Sequence, residues 1–161
     1  MAGNKMHEVE KSIDVNVPIS TAYNQWTQFE SFPHFMEGVE EVRQLDDKRL
    51  HWRAKIGGQQ KEWDALINEQ IPDRVVSWHS TTGAENAGRV TFESMGPNMT
   101  RVNLTMGYNP EGFTENVGDW MGMVGRQIEG DLKRFKEFVE SRGVETGAWR
   151  GEIHRGEVRG S

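Results

Sequence analysis

TENVGDWMGMVGRQIEGDLKRFKEFVES, residues 114–141, is the stretch whose periodicity decides the fold. Val117, Trp120, Met121, Val124, Ile128, Leu132, Phe135, Phe138 and Val139 recur at three- and four-residue spacing. On a helix of 3.6 residues per turn they form one apolar stripe. Arg126, Glu129, Lys133, Lys136, Glu137 and Glu140 take the opposite side. Glu129 with Lys133 and Lys136 with Glu140 stand four apart, a spacing worth roughly 0.2–0.5 kcal/mol per pair. Arg142-Gly143 closes the helix. Two features break the pattern. Gly118, Gly122 and Gly125 line the first half, each costing about 1 kcal/mol against Ala. Either the helix packs closely there, or its first half opens. Asp131 falls inside the apolar stripe, where a carboxyl must be paired, hydrogen-bonded or protonated. Arg53, Tyr23, His34 or a tryptophan N–H are its candidate partners. It reads as a structural strut or as a general acid or base.

Working outward, the preceding text has a period of two. Val9, Ile13, Val15 and Val17 share one phase, with Lys11 the exception, and Pro18 ends this strand. Ser20 is positioned to cap a helix carrying Ala22, Tyr23, Trp26 and Phe29, and a short second turn begins at Ser31. From Val39 to Tyr108 the chain reads as a meander. Leu50, Trp52, Ala54 and Ile56 alternate with polar residues, as do Trp63, Ala65 and Ile67, and Val102, Leu104, Met106 and Tyr108. Gly57-Gly58, Pro72-Asp73 and Gly96-Pro97-Asn98 are turn signals, and residues 82–88 read as a loop. Short strands joined by hairpins predict an antiparallel sheet with one buried face.

The 161 residues suit a single domain, predicted over residues 6–142. Residues 143–161 have a different character, with glycines between alternating Arg and Glu and with Trp149 and Ile153 as anchors. They are expected to be a weakly ordered or docked tail. No cysteine is present, which excludes disulfides and thiolate chemistry. The net charge of −6, with both signs dispersed, argues against nucleic-acid binding. No apolar run reaches the roughly 20 residues of a membrane span, and Met1 to Glu10 is not a secretory signal, so a cytoplasmic protein is expected. The five histidines lack metal-ligand spacing, and no nucleophile elbow, P-loop or dinucleotide fingerprint occurs. No metal and no cofactor are therefore expected.

The order of elements, together with three pieces of text, carries a resemblance. These are Trp26 to Met36 leading into Val39 and Val42, Trp63 to Ile67 before Pro72 and Val76-Ser77-Trp78, and Gly130 to Lys136 in the last helix. Together they resemble the polyketide cyclase/dehydrase group of the START-like (SRPBCC) superfamily over roughly Met6 to Arg142. The resemblance implies an α+β helix-grip fold, with a curved antiparallel sheet of about seven strands wrapped round the long C-terminal helix and two short helices after strand 1. It also implies an apolar cavity between sheet and helix.

The inward phases then name the lining: Trp52, Trp63, Trp78, Phe92, Leu104 and Met106 from the sheet, with Trp120, Met121 and Val124 from the helix. That set reads as a ligand pocket or as a filled core. Asp131 and His34 are the candidate acid–base residues. The expected partner is a small hydrophobic molecule (a lipid, a quinone or a polyketide-like ring). A cyclase or dehydratase, or a protein-interaction module, are the alternatives. A homo-oligomer through the glycine-rich helix start or the tail is a further expectation.

Overall fold

The first apolar alternation becomes β1 (His7–Val15). The computed structural model of the chain describes residues 7–56, 59–109 and 117–159. After β1 the Pro18 carbonyl accepts the Ala22 N–H at 3.1 Å and opens α1 (Ile19–Trp26). Pro18 is thus the N-cap. Ser20, expected there, sits inside the first turn, and no side chain caps the helix. A 3-10 turn (Phe29–His34) follows, burying Phe29 and Phe32.

The meander forms β2 (Val39–Gln44), β3 (Arg49–Ile56), β4 (Gln59–Ile71), β5 (Val75–Gly83), β6 (Asn86–Gly96) and β7 (Met99–Tyr108). All neighbours are antiparallel, in the order β1-β7-β6-β5-β4-β3-β2. Gly57-Gly58 lies outside the described residues. Residues 82–88 are mostly strand rather than the expected loop. β5 runs to Gly83 and β6 starts at Asn86, so only Ala84 and Glu85 connect them. Gly88 explains why a strand tolerates glycine here. A Cβ on it would stand 2.4 Å from Cζ2 of Trp78, so the missing side chain makes room for an indole on the inner face.

α2 (Val117–Arg142) lies along that face with Val124, Ile128, Leu132, Phe135 and Val139 buried. It ends at Gly143, whose φ of 74° is one that glycine adopts freely and whose N–H reaches the Val139 carbonyl at 3.1 Å. The second half of α2 is tied to β1. Lys136 Nζ donates to the Asp14 carbonyl at 3.1 Å and pairs with Glu140 at 2.6 Å. The Asn16 N–H in turn donates to Glu140 Oε2 at 2.6 Å. In the first half, close packing within the chain does not account for Gly122 or Gly125. A Cβ at Gly122 would meet nothing nearer than Arg126 at 3.8 Å, and one at Gly125 would touch Val9 at an ordinary 3.7 Å. Residues 114–116 and the side chains at 117–121, Trp120 and Met121 included, lie outside the described residues.

The tail docks. Thr146 and Gln25 exchange two hydrogen bonds of 2.9 Å, and the Trp149 N–H donates to Thr27 Oγ1 at 3.1 Å. Arg150 bonds Asn24 at 2.6 Å, pairs with Asp73 at 3.0 Å and lies over the Tyr23 ring. β8 (Glu152–His154) joins β4 at Gln70 and forms a hairpin with β9 (Glu157–Arg159). Ile153 is fully buried.

Candidate ligand cavity

Period-two alternation turns Trp52 of β3, Trp63 of β4 and Trp78 of β5 to the same side of three adjacent strands. Their rings stack: Trp52 lies 5.8 Å from Trp63 with 11° between planes, and 5.8 Å from Trp78 with 19°. The result is one nearly continuous aromatic wall. Leu104 and Met106 extend it on β7, and Val124 and Ile128 face it from α2. Between wall and helix lies a mostly apolar cavity of about 60 Å³. The indole N–H groups of Trp52 and Trp63 are buried and find no hydrogen-bond partner among the described residues. Leaving such a donor unpaired costs about 1–3 kcal/mol.

One carboxyl borders this cavity. Asp131 Oδ1 accepts the Glu37 N–H at 3.1 Å and an Arg134 N–H at 2.5 Å. Neither partner was among those expected; Arg53 instead pairs with Glu40 and Glu41 on the outer face. Burial pushes the Asp131 carboxyl up to about 6, against the opposing pull of Arg134 and the Glu37 N–H. Tyr108, also in the lining, is buried. Desolvation and the nearby Asp131 charge push its phenol above the usual tyrosine range.

The structure thus brings Trp52, Trp63, Trp78, Leu104, Met106, Val124 and Asp131 to one cavity. It does not bring Phe92 or His34 there. Phe92 packs edge-on against Tyr23 at 5.5 Å, because α1 lies across β6 and occupies that part of the inner face. His34 is exposed and stacks at 5.7 Å on Phe138, two helical turns beyond Asp131. Met36, Gly38, Tyr108 and Gln127 line the cavity without having been named for it. Tyr108 had a signal, the shared phase with Leu104 and Met106. Gln127 had only its position one turn before Asp131. Among the described residues no group of three or more acidic or histidine side chains could hold a metal. No described helix is long and apolar enough to cross a membrane.

A curved antiparallel sheet gripping a long C-terminal helix over an internal cavity defines a START-like helix-grip protein. The profile of the family described as "Polyketide cyclase / dehydrase and lipid transport" matches residues 15–137, and the chain belongs to that family. It is 54% identical over 149 residues to the "Uncharacterized 17.2 kDa protein in melC2-rnhH intergenic region" of Streptomyces lincolnensis, covering 92% of this chain and 99% of that one. A Deinococcus radiodurans structure is 26% identical, with a TM-score of 0.67 over 84% of this chain and 99% of the other. The Zhui aromatase/cyclase of a Streptomyces species is similar in fold, with a TM-score of 0.72 at 15% identity over 90% of this chain and all of that one. A START superfamily protein of Mycobacterium smegmatis gives 0.70 at 16%, over 84% and 99%.

Proposed function

We propose that the protein binds a small planar hydrophobic molecule in this cavity. The observation that carries the reading is the stack of Trp52, Trp63 and Trp78. Parallel indoles already stacked on one another can extend that stack to a further ring, through offset stacking and dispersion contact, better than to a kinked acyl chain. The N–H groups of Trp52 and Trp63, without a partner among the described residues, favour a ring bearing carbonyl or phenol oxygens, because pairing a buried donor recovers what its isolation costs. A quinone or a polyketide-like ring has that chemistry; a saturated lipid does not. At about 60 Å³ the cavity is far below the roughly 300–1,000 Å³ of ordinary ligand pockets, so loading requires it to expand.

Titration of tryptophan fluorescence with the planar quinone danthron tests this, with palmitate as the comparison. Saturable quenching by danthron, competed weakly by palmitate and lost in Val124→Trp, is expected. No quenching, or quenching unchanged when Val124→Trp fills the space, contradicts it.

A second reading has one observation in its favour: a carboxyl pushed up to about 6 at the cavity edge suits a general acid for cyclisation or dehydration. Asp131→Asn would then abolish turnover of a bound precursor while leaving danthron affinity intact. The protein-interaction reading gains nothing from the tail, whose Trp149 and Ile153 are spent on the chain's own domain.

A further inference from the structure

We propose that the seam between α2 and residues 35–38 is the gate of the cavity, held shut by Gln127, Asp131 and Arg134. This rests on the ligand-binding reading above. The three residues stand at i, i+4 and i+7 on one face of α2, and each reaches the backbone of another segment. Gln127 Nε2 donates to the Lys55 carbonyl at 3.5 Å, Asp131 accepts the Glu37 N–H at 3.1 Å, and Arg134 Nε donates to the Phe35 carbonyl at 3.0 Å. The Lys55 N–H bonds the Gly38 carbonyl at 2.7 Å and fastens the segment to β3. Gly38 lets it lie flush. A Cβ there would stand 1.9 Å from the Gln127 amide nitrogen and 2.6 Å from the Lys55 oxygen.

Three features make this seam, rather than the contact made by Leu132, Phe135 and Val139, the part that opens. Met36, Gly38, Lys55, Gln127 and Asp131 border both seam and cavity, so parting them exposes the tryptophan wall directly. The tethers at Glu37 and Lys55 are hydrogen bonds near the surface, which water can replace, so residues 37 and 38 can part from α2 while Phe35, packed on Phe135 at 5.2 Å, stays in the apolar core. The register shift between Val39 and Glu41 separates the segment from the regular β2–β3 ladder.

The charge around Asp131 sets the direction of a pH effect. It faces Arg134 on its own helix, Glu37 on the segment across the seam and Tyr108 on β7. Its carboxyl is held near 6 by burial in the closed seam and returns toward the ordinary aspartate range once hydrated. The closed form therefore holds the proton more tightly, and lowering the pH through 6 favours closure.

The test is the rate of danthron loading, read by tryptophan quenching, in a Glu37→Cys, Asp131→Cys pair, placed where the Glu37 N–H already meets the Asp131 side chain at 3.1 Å. No other cysteine competes. Loading at least tenfold slower when oxidised than when reduced is expected, and equal rates overturn the gate. Gln127→Ala, which removes one tether without a crosslink, is expected to load at least threefold faster, and an unchanged rate overturns the gate as well. If neither wild type nor the reduced pair takes up danthron, the cavity reading itself fails, an outcome distinct from uptake that ignores the crosslink.

Discussion

Asp131 carries a cost that depends on pH, and the sign follows from its surroundings. Its folded value, about 6, lies above its ordinary 3.8. Between these values the folded chain holds more protons than the unfolded one, so stability falls as pH rises through the window. The full penalty is present above pH 6 and is about 3 kcal/mol at most, from two units at 1.36 kcal/mol each. Asp131→Asn keeps an acceptor for the Glu37 N–H and removes the titration. Urea denaturation from pH 4.5 to 7.5 should show wild type losing 1–3 kcal/mol relative to this variant, roughly the span of that penalty. Parallel curves would contradict the assignment. His51 has the opposite sign. Asp64 at 2.7 Å and Glu62 at 3.0 Å raise its imidazole above the usual value. Its contribution is present below the ordinary histidine value and is lost as pH rises through the raised one. His51→Gln should cost roughly 0.5 kcal/mol at pH 5.5 and nothing at pH 9, measured the same way. At this scale the sequence showed that Asp131 was anomalous. It did not show the partner, because Arg134 at i+3 reads as a solvent-facing cation until the Phe35–Gly38 segment is seen against it.

α2 was the most legible element. Val124, Ile128, Leu132, Phe135 and Val139 of its stripe are buried as the spacing predicts, with Phe138 partly so, and its end at Gly143 is a one-residue signal. The strands were legible wherever alternation was clean, as at Leu50, Trp52 and Ala54. They were misread at residues 82–88, where Gly83 and Gly88 suggested a loop because their reason is tertiary: an indole rests on the Gly88 backbone. The helix glycines were the reverse case. Close packing was the natural expectation, yet Gly122 is exposed and its neighbourhood has room for a methyl group. Gly122→Ala should therefore stabilise the protein by about 0.5–1 kcal/mol through helix propensity and a less mobile unfolded chain. Thermal denaturation checks this, and a lower melting temperature would show a constraint that the Gly122 surroundings do not display. Gly38→Ala is the contrast, since its added Cβ must displace Gln127.

Across the whole molecule the domain extends beyond the matched family region, because the tail completes it. Ile153 fills a core position, and Gln25, Asn24 and Thr27 bond to Thr146, Trp149 and Arg150. Ending the chain after Gly143 should cost at least about 2 kcal/mol, the order of one fully buried Ile side chain before any polar loss is counted. An unchanged urea midpoint would mean that the tail merely rests on the domain. The cavity belongs to this scale too. Inward phases gave most of its wall, but no pattern in one chain fixes its volume or where it opens, since both depend on how α2 and the Phe35–Gly38 segment meet. The most direct measurement is an NMR titration of the indole N–H resonances with danthron. Ligand in the cavity should shift Trp52 and Trp63, whose donors find no partner among the described residues, and leave Trp26, likewise without one among them but outside the cavity, unmoved. Shifts at Trp26 as large as those at Trp52 and Trp63, or none at all, would contradict a planar-ligand site on the tryptophan wall.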